Sequence, residues 1–316
     1  MSDETPPTSS PTRWEGEGAR PWPGASWPLP PVEEVEALGL SLPLYLHALL
    51  EERTDPDDPT GPPVLVAQLP AMDHLLDADG TISTGALVAA IDVVGGIGNG
   101  IGVVPDWVVT TNLTFRRVAP PTAPGADGAL TLTSHLLRRG KTSAVGSTSV
   151  CAADGTLVAT ATVTSAVLTP EHGPPSLPRP FRPTPYPHPT LARYQAPLDA
   201  FVGLTAGPRH DEVRLQVLPH LRNPWNIVQG GVSAVLADAA ARQTLAHPTG
   251  IDAELDELVV TDLVLHYLSP GRVGPLVARG EHLGSWGDDH VVRVVLRDQG
   301  AGDRTILLAI ATVRRR

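Results

Sequence analysis

The chain is nearly without cysteine and lysine. Cys151 is the only cysteine in 316 residues, which excludes an intrachain disulfide framework and a zinc site built on several cysteines. Its setting, "STSVCAADG", reads as a strand running into a turn with no positive neighbour to lower the thiol pKa, so a structural thiol is expected. Lys141 is the only lysine, and every other basic residue is arginine. The net charge of −11 leaves no broad basic surface, so nucleic acid is not an expected partner. No apolar run reaches the roughly 20 residues that a membrane-spanning helix needs. The N-terminal "MSDETPPTSSPTRWEGEG" lacks the basic-then-apolar order of a signal peptide. A soluble, cytoplasmic protein with no membrane partner is expected. No Gly-x-Ser-x-Gly elbow occurs, and the histidines show no His-Glu-x-x-His spacing. "GGIGNG" at 95–100 follows a helical pattern rather than a strand, which speaks against a dinucleotide loop. The expectation is therefore no cofactor and no metal.

Proline (34) and glycine (30) are plentiful and point to long irregular segments beside a folded body whose 41% apolar content can form a core. Residues 1–31 are rich in Pro, Ser and Gly and are expected to be disordered. Residues 32–52 have a helical rhythm interrupted near Pro43. Residues 169–197 contain "GPPSLPRPFRPTPYPHP" and read as an extended linker. Four regions follow: an N-terminal extension over 1–60, domains over 61–168 and 198–316, and the linker at 169–197.

Inside the first domain, "VLVAQLP" (64–70) has a strand pattern and "TGALVAAIDVVGGI" (84–97) is an apolar helix. Strands are expected at 107–118, 129–139, 143–152 and 156–168, divided by turn signals. After the linker the order recurs. A short helix at 198–206 leads to a strand at 212–219, a helix at 231–246, and strands at 258–269, 275–284, 290–298 and 305–315. A repeated element order is the mark of a tandem duplication. "DADGTISTGALVAAID" (77–92) overlays "NPWNIVQGGVSAVLAD" (223–238) without a gap, placing Gly85 on Gly231 and Asp92 on Asp238. "VVT" recurs at 108–110 and 259–261, and His135-Leu136 falls close to His282-Leu283. Each half thus carries one carboxylate at the same depth of an apolar helix, where an unpaired charge is costly.

An Asn leading through Gly-Gly into a helix that carries an Asp, all wrapped by an antiparallel sheet, resembles the hotdog fold. More narrowly, it resembles acyl-CoA thioesterases of the phenylacetate-pathway type. Two copies resemble a tandem, or double, hotdog of the α+β class. The likeness covers roughly 64–168 and 198–315. The motif His is replaced by Ser83 in the first copy and Gln229 in the second. The motif Asn is kept as Asn223 but is Asp77 in the first copy, and the first Gly is kept as Gly230 but is Thr84.

Thioester hydrolysis needs a base or nucleophile, and donors that hold the oxygen as it gains charge. A helix start supplies free N–H groups and a positive dipole end. The resemblance implies a composite site between two hotdogs, one giving the acid and the other the Asn and Gly. Asp92, as general base or nucleophile, would face Asn223 and Gly230. The second site would pair Asp238 with Asp77 and Thr84, two carboxylates that repel or share a proton, and is expected to be degraded. Arg138, Arg139 and Lys141, with Arg116 and Arg117 nearby, are candidate ligands for CoA phosphates; the matching hairpin of the second copy, "LGSWGDDH", is acidic. The expected partner is an acyl-CoA or acyl-carrier thioester, and two double hotdogs could pair further as a homodimer. Other roles stay open. Each buried Asp could bond a nearby hydroxyl such as Thr110 or Thr261, and Asn223 precedes Pro224, where a turn role fits. The alternative to an enzyme is a non-catalytic acyl- or acyl-CoA-binding double hotdog. A purely structural role within an assembly is a third.

Overall fold

The structure, a computed structural model, describes residues 32–119, 129–169, 180–182, 189–246 and 254–316. The expectations for 1–31 and for most of the 169–197 linker fall outside the described residues.

Two short helices, α1 (Val32–Ala37) and α2 (Ser41–Leu46), lead into strands β1 (Leu49–Arg53) and β2 (Val64–Pro70). The long helix α3 (Thr84–Ile101) follows, then β3 (Trp107–Arg117), β4 (Ala129–Arg139), β5 (Ser143–Cys151) and β6 (Leu157–Leu168). The order then recurs as α4 (Ala192–Gln195), α5 (Leu198–Val202), β7 (Thr205–Ala206), β8 (Glu212–Leu215), α6 (Gly230–Ala246), β9 (Leu258–Tyr267), β10 (Leu276–Trp286), β11 (Asp289–Asp298) and β12 (Arg304–Arg315).

The strands form one twelve-stranded sheet in the order β1-β2-β4-β5-β6-β3-β9-β12-β11-β10-β8-β7. Read outward from the β3–β9 join, the two arms have matching orders. At the join the register runs from Asn112 opposite His266 to Arg116 opposite Asp262. Alternating burial along β4, β6 and β12 is what a half-covered antiparallel sheet requires, with the buried face turned to the helices. Helix α3 is apolar on every side, and all of its residues but Gly96 are buried. A helix of that kind belongs in a core, and the sheet wraps it.

The duplication extends to the backbone. Asp77 N–H donates to the Thr81 carbonyl at 2.8 Å, and Asn223 N–H to that of Ile227 at 2.8 Å. Ser83 N–H donates to Leu75 at 2.9 Å, and Gln229 N–H to Leu221 at 3.0 Å. His74 Nε2 donates to the Tyr45 carbonyl at 3.1 Å, as His220 Nε2 does to that of Phe201 at 2.9 Å. These pairs keep the register of the gap-free overlay of 77–92 on 223–238.

Some element bounds differ from expectation. The helical reading of 32–52 holds only to Leu46, because Leu49–Arg53 pairs with β2 as an edge strand. Pro43 stands in the first turn of α2, where its missing N–H has no intrahelical acceptor to lose. The helix expected over 198–206 stops at Val202, where Gly203 takes a left-handed φ of 78°. The strand expected over 212–219 ends at Leu215 and gives way to a 3₁₀ turn at Pro219–Leu221.

Phe115 is 2% exposed and sits at the join, in register with Leu263. Phe115→Ala is expected to lower stability by about 3–5 kcal/mol, read from chemical denaturation. Its effect should fall on one transition shared by both arms, since the sheet is continuous across that point.

Candidate active site

The first turn of each of α3 and α6 packs against the second and third turns of the other, and at α6 the close approach is possible because glycine stands there. A Cβ on Gly231 would lie 3.0 Å from the Ala89 Cα. A Cβ on Gly230 would lie 2.7 Å from Asp92 Oδ2 and 2.8 Å from Oδ1, closer than a side chain can come. In the first repeat Thr84 stands where Gly230 does, and a Cβ on Gly85, the counterpart of Gly231, would be 3.7 Å from Asp238 Oδ2, an ordinary contact. Each helix therefore begins against the carboxylate of the other, and the expected neighbours Asp92 and Gly230 are in contact.

Asp92 is 9% exposed, and among the described residues its Oδ1 has no hydrogen-bond partner. Burial pushes its carboxyl up to about 6, while the Thr110 hydroxyl and the Gly231 amide pull it part of the way back. A cavity of about 440 Å³ opens at this carboxylate. Asn223, Gln229, Gly230, Ser233 and Tyr267 share its lining with Asp92, as do Gly39 and Leu40 between α1 and α2 and Pro43 of α2.

Each polar neighbour has a definable task. Asn223 Oδ1 accepts from the Trp225 amide at 2.9 Å and the Ile227 amide at 3.3 Å. It thus takes the turn role that Pro224 suggested, and its side-chain NH₂ is the group left to offer the cavity. Gln229, at the motif His position, donates from Nε2 to the Gly39 carbonyl (3.0 Å) and the Arg222 carbonyl (3.2 Å). It ties the α1–α2 turn over the start of α6, and an amide has no proton to exchange near neutral pH. Ser83, the other His replacement, caps α3 by accepting from the Ala86 amide at 3.1 Å. Tyr267 donates its hydroxyl to the Gly230 carbonyl at 3.0 Å, and burial, followed by the Asp92 charge, raises its pKa well above the usual value. Trp107 and Trp225 meet edge to face across the wall, with centroids 6.0 Å apart.

The repeat-related site differs in charge. Asp238 is 1% exposed, and its Oδ2 accepts from Arg242 Nε at 3.1 Å and Nη2 at 2.9 Å. Thr84 accepts from Arg117 at 2.8 Å and donates to the Val260 carbonyl at 3.1 Å. Asp77 and Asp79 are both bonded by Arg316. Asp77 and Asp238 lie near enough to feel each other's charge, and three guanidinium groups, of Arg117, Arg242 and Arg316, stand among these acids and Thr84, though burial still raises both carboxyls. Burial, more than the Asp238 charge, raises the Asp77 pKa against the pull of Arg316 and Arg242. Leu198 fills the space beside Gly85, 3.2 Å from where a Cβ would be. None of Asp77, Thr84 and Asp238 lines the cavity.

Arg138, Arg139 and Lys141 are exposed around the β4–β5 turn and are not in the cavity wall. The basic side chain in that wall is Arg272, which the sequence reading did not single out. Thr261 donates to the Thr312 carbonyl at 3.3 Å rather than to Asp238. Ser233 and Tyr267 were also missed. Arg242 had a visible signal, since Asp238 and Arg242 are four apart on one helix.

These elements compose a double hotdog, α+β with an antiparallel sheet around two core helices. The fold is similar to that of the tesB protein of Mycobacterium avium subs paratuberculosis, with a TM-score of 0.58 and 13% identity over 89% of this chain and 99% of that one. It is similar to acyl-CoA thioesterase II TesB2 of Mycobacterium marinum, with a TM-score of 0.52 and 12% identity over 87% and 98%. The 12:0-ACP thioesterase of Umbellularia californica matches with a TM-score of 0.51 and 13% identity over 80% and 94%. No protein-family model matches the chain, and no curated protein matches it in sequence. At these identities the likeness is one of fold. The phenylacetate-pathway resemblance rests on the helix motif alone.

Two stability measurements follow. Arg242→Ala strands the Asp238 charge in the interior and is expected to cost about 3–5 kcal/mol, with part recovered in Arg242→Ala/Asp238→Asn. Asp92 is buried without an arginine partner among the described residues. Its folded pKa of about 6 lies above the ordinary 3.8, so the cost of ionising it is absent below 3.8, grows between the two values and is complete above 6. Asp92→Asn is expected to stabilise the protein by about 1–3 kcal/mol at neutral pH and to give no gain in acid, read from melts at both pH values.

Proposed function

We propose that this protein hydrolyses an acyl thioester, on CoA or an acyl carrier, at one composite site where Asp92 meets the start of α6. The observation that carries the reading is the Asp92 carboxylate. It is buried, has an unpartnered oxygen, is held near pKa 6, and looks into a cavity against a helix start. A carboxylate with that affinity for protons is matched to general-base work near neutral pH.

The chemistry follows from the geometry. A water beside Asp92 gives up a proton to the carboxylate as its oxygen attacks the thioester carbonyl. The carbonyl oxygen, now negative, is held by the Gly230 N–H at the positive end of α6 and by the Asn223 amide. The tetrahedral intermediate collapses, the C–S bond breaks, and the thiolate takes the proton from Asp92. Acid and free thiol leave, and the carboxylate is restored. Thr110 holds the carboxylate in place. Gln229 cannot replace the motif His as a base. Its role is to hold the roof of the site.

The committed state of Gln229 favours one second reading, an acyl-thioester-binding protein without turnover. Thiol release from a panel of acyl-CoAs separates the two. The proposal expects release by the native protein, at least a hundredfold loss in Asp92→Asn, and a kcat/KM that rises with pH to a plateau with an apparent pKa near 6. Saturable binding with no thiol release, or full activity in Asp92→Asn, contradicts it.

A further inference from the structure

The glycines of α3 fall into two groups. Gly95 and Gly98 are there for packing: a Cβ would come within 2.6 Å of Val163 Cγ2 or of Ser134 Oγ. Gly96 has no such reason. A Cβ there would meet only Thr110 Oγ1, at 3.9 Å. Glycine inside a helix costs about 1 kcal/mol relative to alanine, so an uncrowded one calls for another explanation. Gly96 follows Asp92 by one turn, and Gly100 follows by another; all three line the cavity. The same helix face in the other repeat reads Asp238, Arg242, Ala246. There the residue one turn on reaches back and bonds the carboxylate.

We propose that Gly96 and Gly100 are the floor of a channel that takes the straight hydrocarbon chain of the substrate, and that Gly96, the counterpart of Arg242, is what keeps this site open while its twin is shut. The inference rests on the thioesterase reading for the identity of the head group, and on the cavity for the chain. Eight residues of helix rise about 12 Å, the extended length of an acyl chain of about ten carbons. Val93, Ile97, Val104 and Val109 wall this stretch. They offer no hydrogen bonds to the amides of a carrier arm, whereas a hydrocarbon requires none. Thr110, Thr111 and Asp106 also face this cavity. Asn223, Gln229, Ser233 and Tyr267 line it with the buried Asp92, whose Oδ1 is unpartnered among the described residues, where a reacting carbonyl belongs.

The test is calorimetric binding of acyl-CoA thioethers, which cannot be hydrolysed, with straight chains shorter than, equal to and longer than the channel. Gly96→Ala serves as the folding control and is expected to melt at or above the native temperature, since its methyl enters open space. In Gly96→Leu and Gly100→Leu the ratio of long-chain to short-chain affinity is expected to fall at least tenfold. Gly96→Arg is expected to lose binding of every chain. An equal loss at all lengths in the leucine variants would put the carrier arm on this floor and overturn the proposal. Unchanged ratios, or no binding of any straight chain by the native protein, would overturn it too. Native protein that binds the thioethers but releases no thiol from acyl-CoA would refute the thioesterase reading and leave the channel standing. Turnover with a chain-length profile indifferent to Gly96→Leu would do the reverse.

Discussion

Each of the two core helices begins against a carboxylate carried by the other. At the start of α6 that contact requires glycine, since a Cβ on Gly230 or Gly231 would collide with Asp92 or with the backbone at Ala89, whereas α3 starts with Thr84. The two arms of the sheet that cover these helices meet edge to edge, β3 against β9. The duplicated chain is in this sense one structure, because neither half completes its own helix start.

The contact creates the same electrical problem twice, and the chain answers it in two ways. Taking a carboxylate out of water is costly unless a counter-charge or proton accompanies it. At Asp238 the counter-charge is supplied by Arg242 from the next turn, with Arg117 and Arg316 close by. At Asp92 no arginine pairs with the carboxylate among the described residues and the next turn carries glycine; burial raises the proton affinity of both carboxyls, and Arg242 offsets part of that rise only at Asp238. The two repeats thus differ one turn after the carboxylate, with arginine in one and glycine in the other.

Much of this was legible in the sequence because the signals are local. Alternation along the strands, the apolar helices and the gap-free overlay of 77–92 on 223–238 all depend on near neighbours in the chain. The pairing of Asp92 with Asn223 and Gly230 came instead from a resemblance. Other features depended on contacts remote in sequence. Nothing near Tyr267 says that its hydroxyl reaches the Gly230 carbonyl, and nothing near Gly39 says that Gln229 will hold it. Arg138, Arg139 and Lys141 mislead for the same reason, since a run of charge carries no information on its distance from a cavity. Strand β1 was read as helix because a short apolar run without strict alternation fits either period. Asp238–Arg242 was readable from i,i+4 spacing, as was its absence at Asp92–Gly96.

The account's central claim is that one of the two helix-start carboxylates is open to a thioester and the other is closed by its own arginine. A crystal structure of the protein with a bound acyl-CoA thioether tests this most directly. The account expects one ligand per chain, its carbonyl beside Gly230 and Asn223 and its chain running over Gly96, with Asp238 still bonded to Arg242. A ligand seated at Asp238, or one bound away from Asp92 altogether, would contradict it.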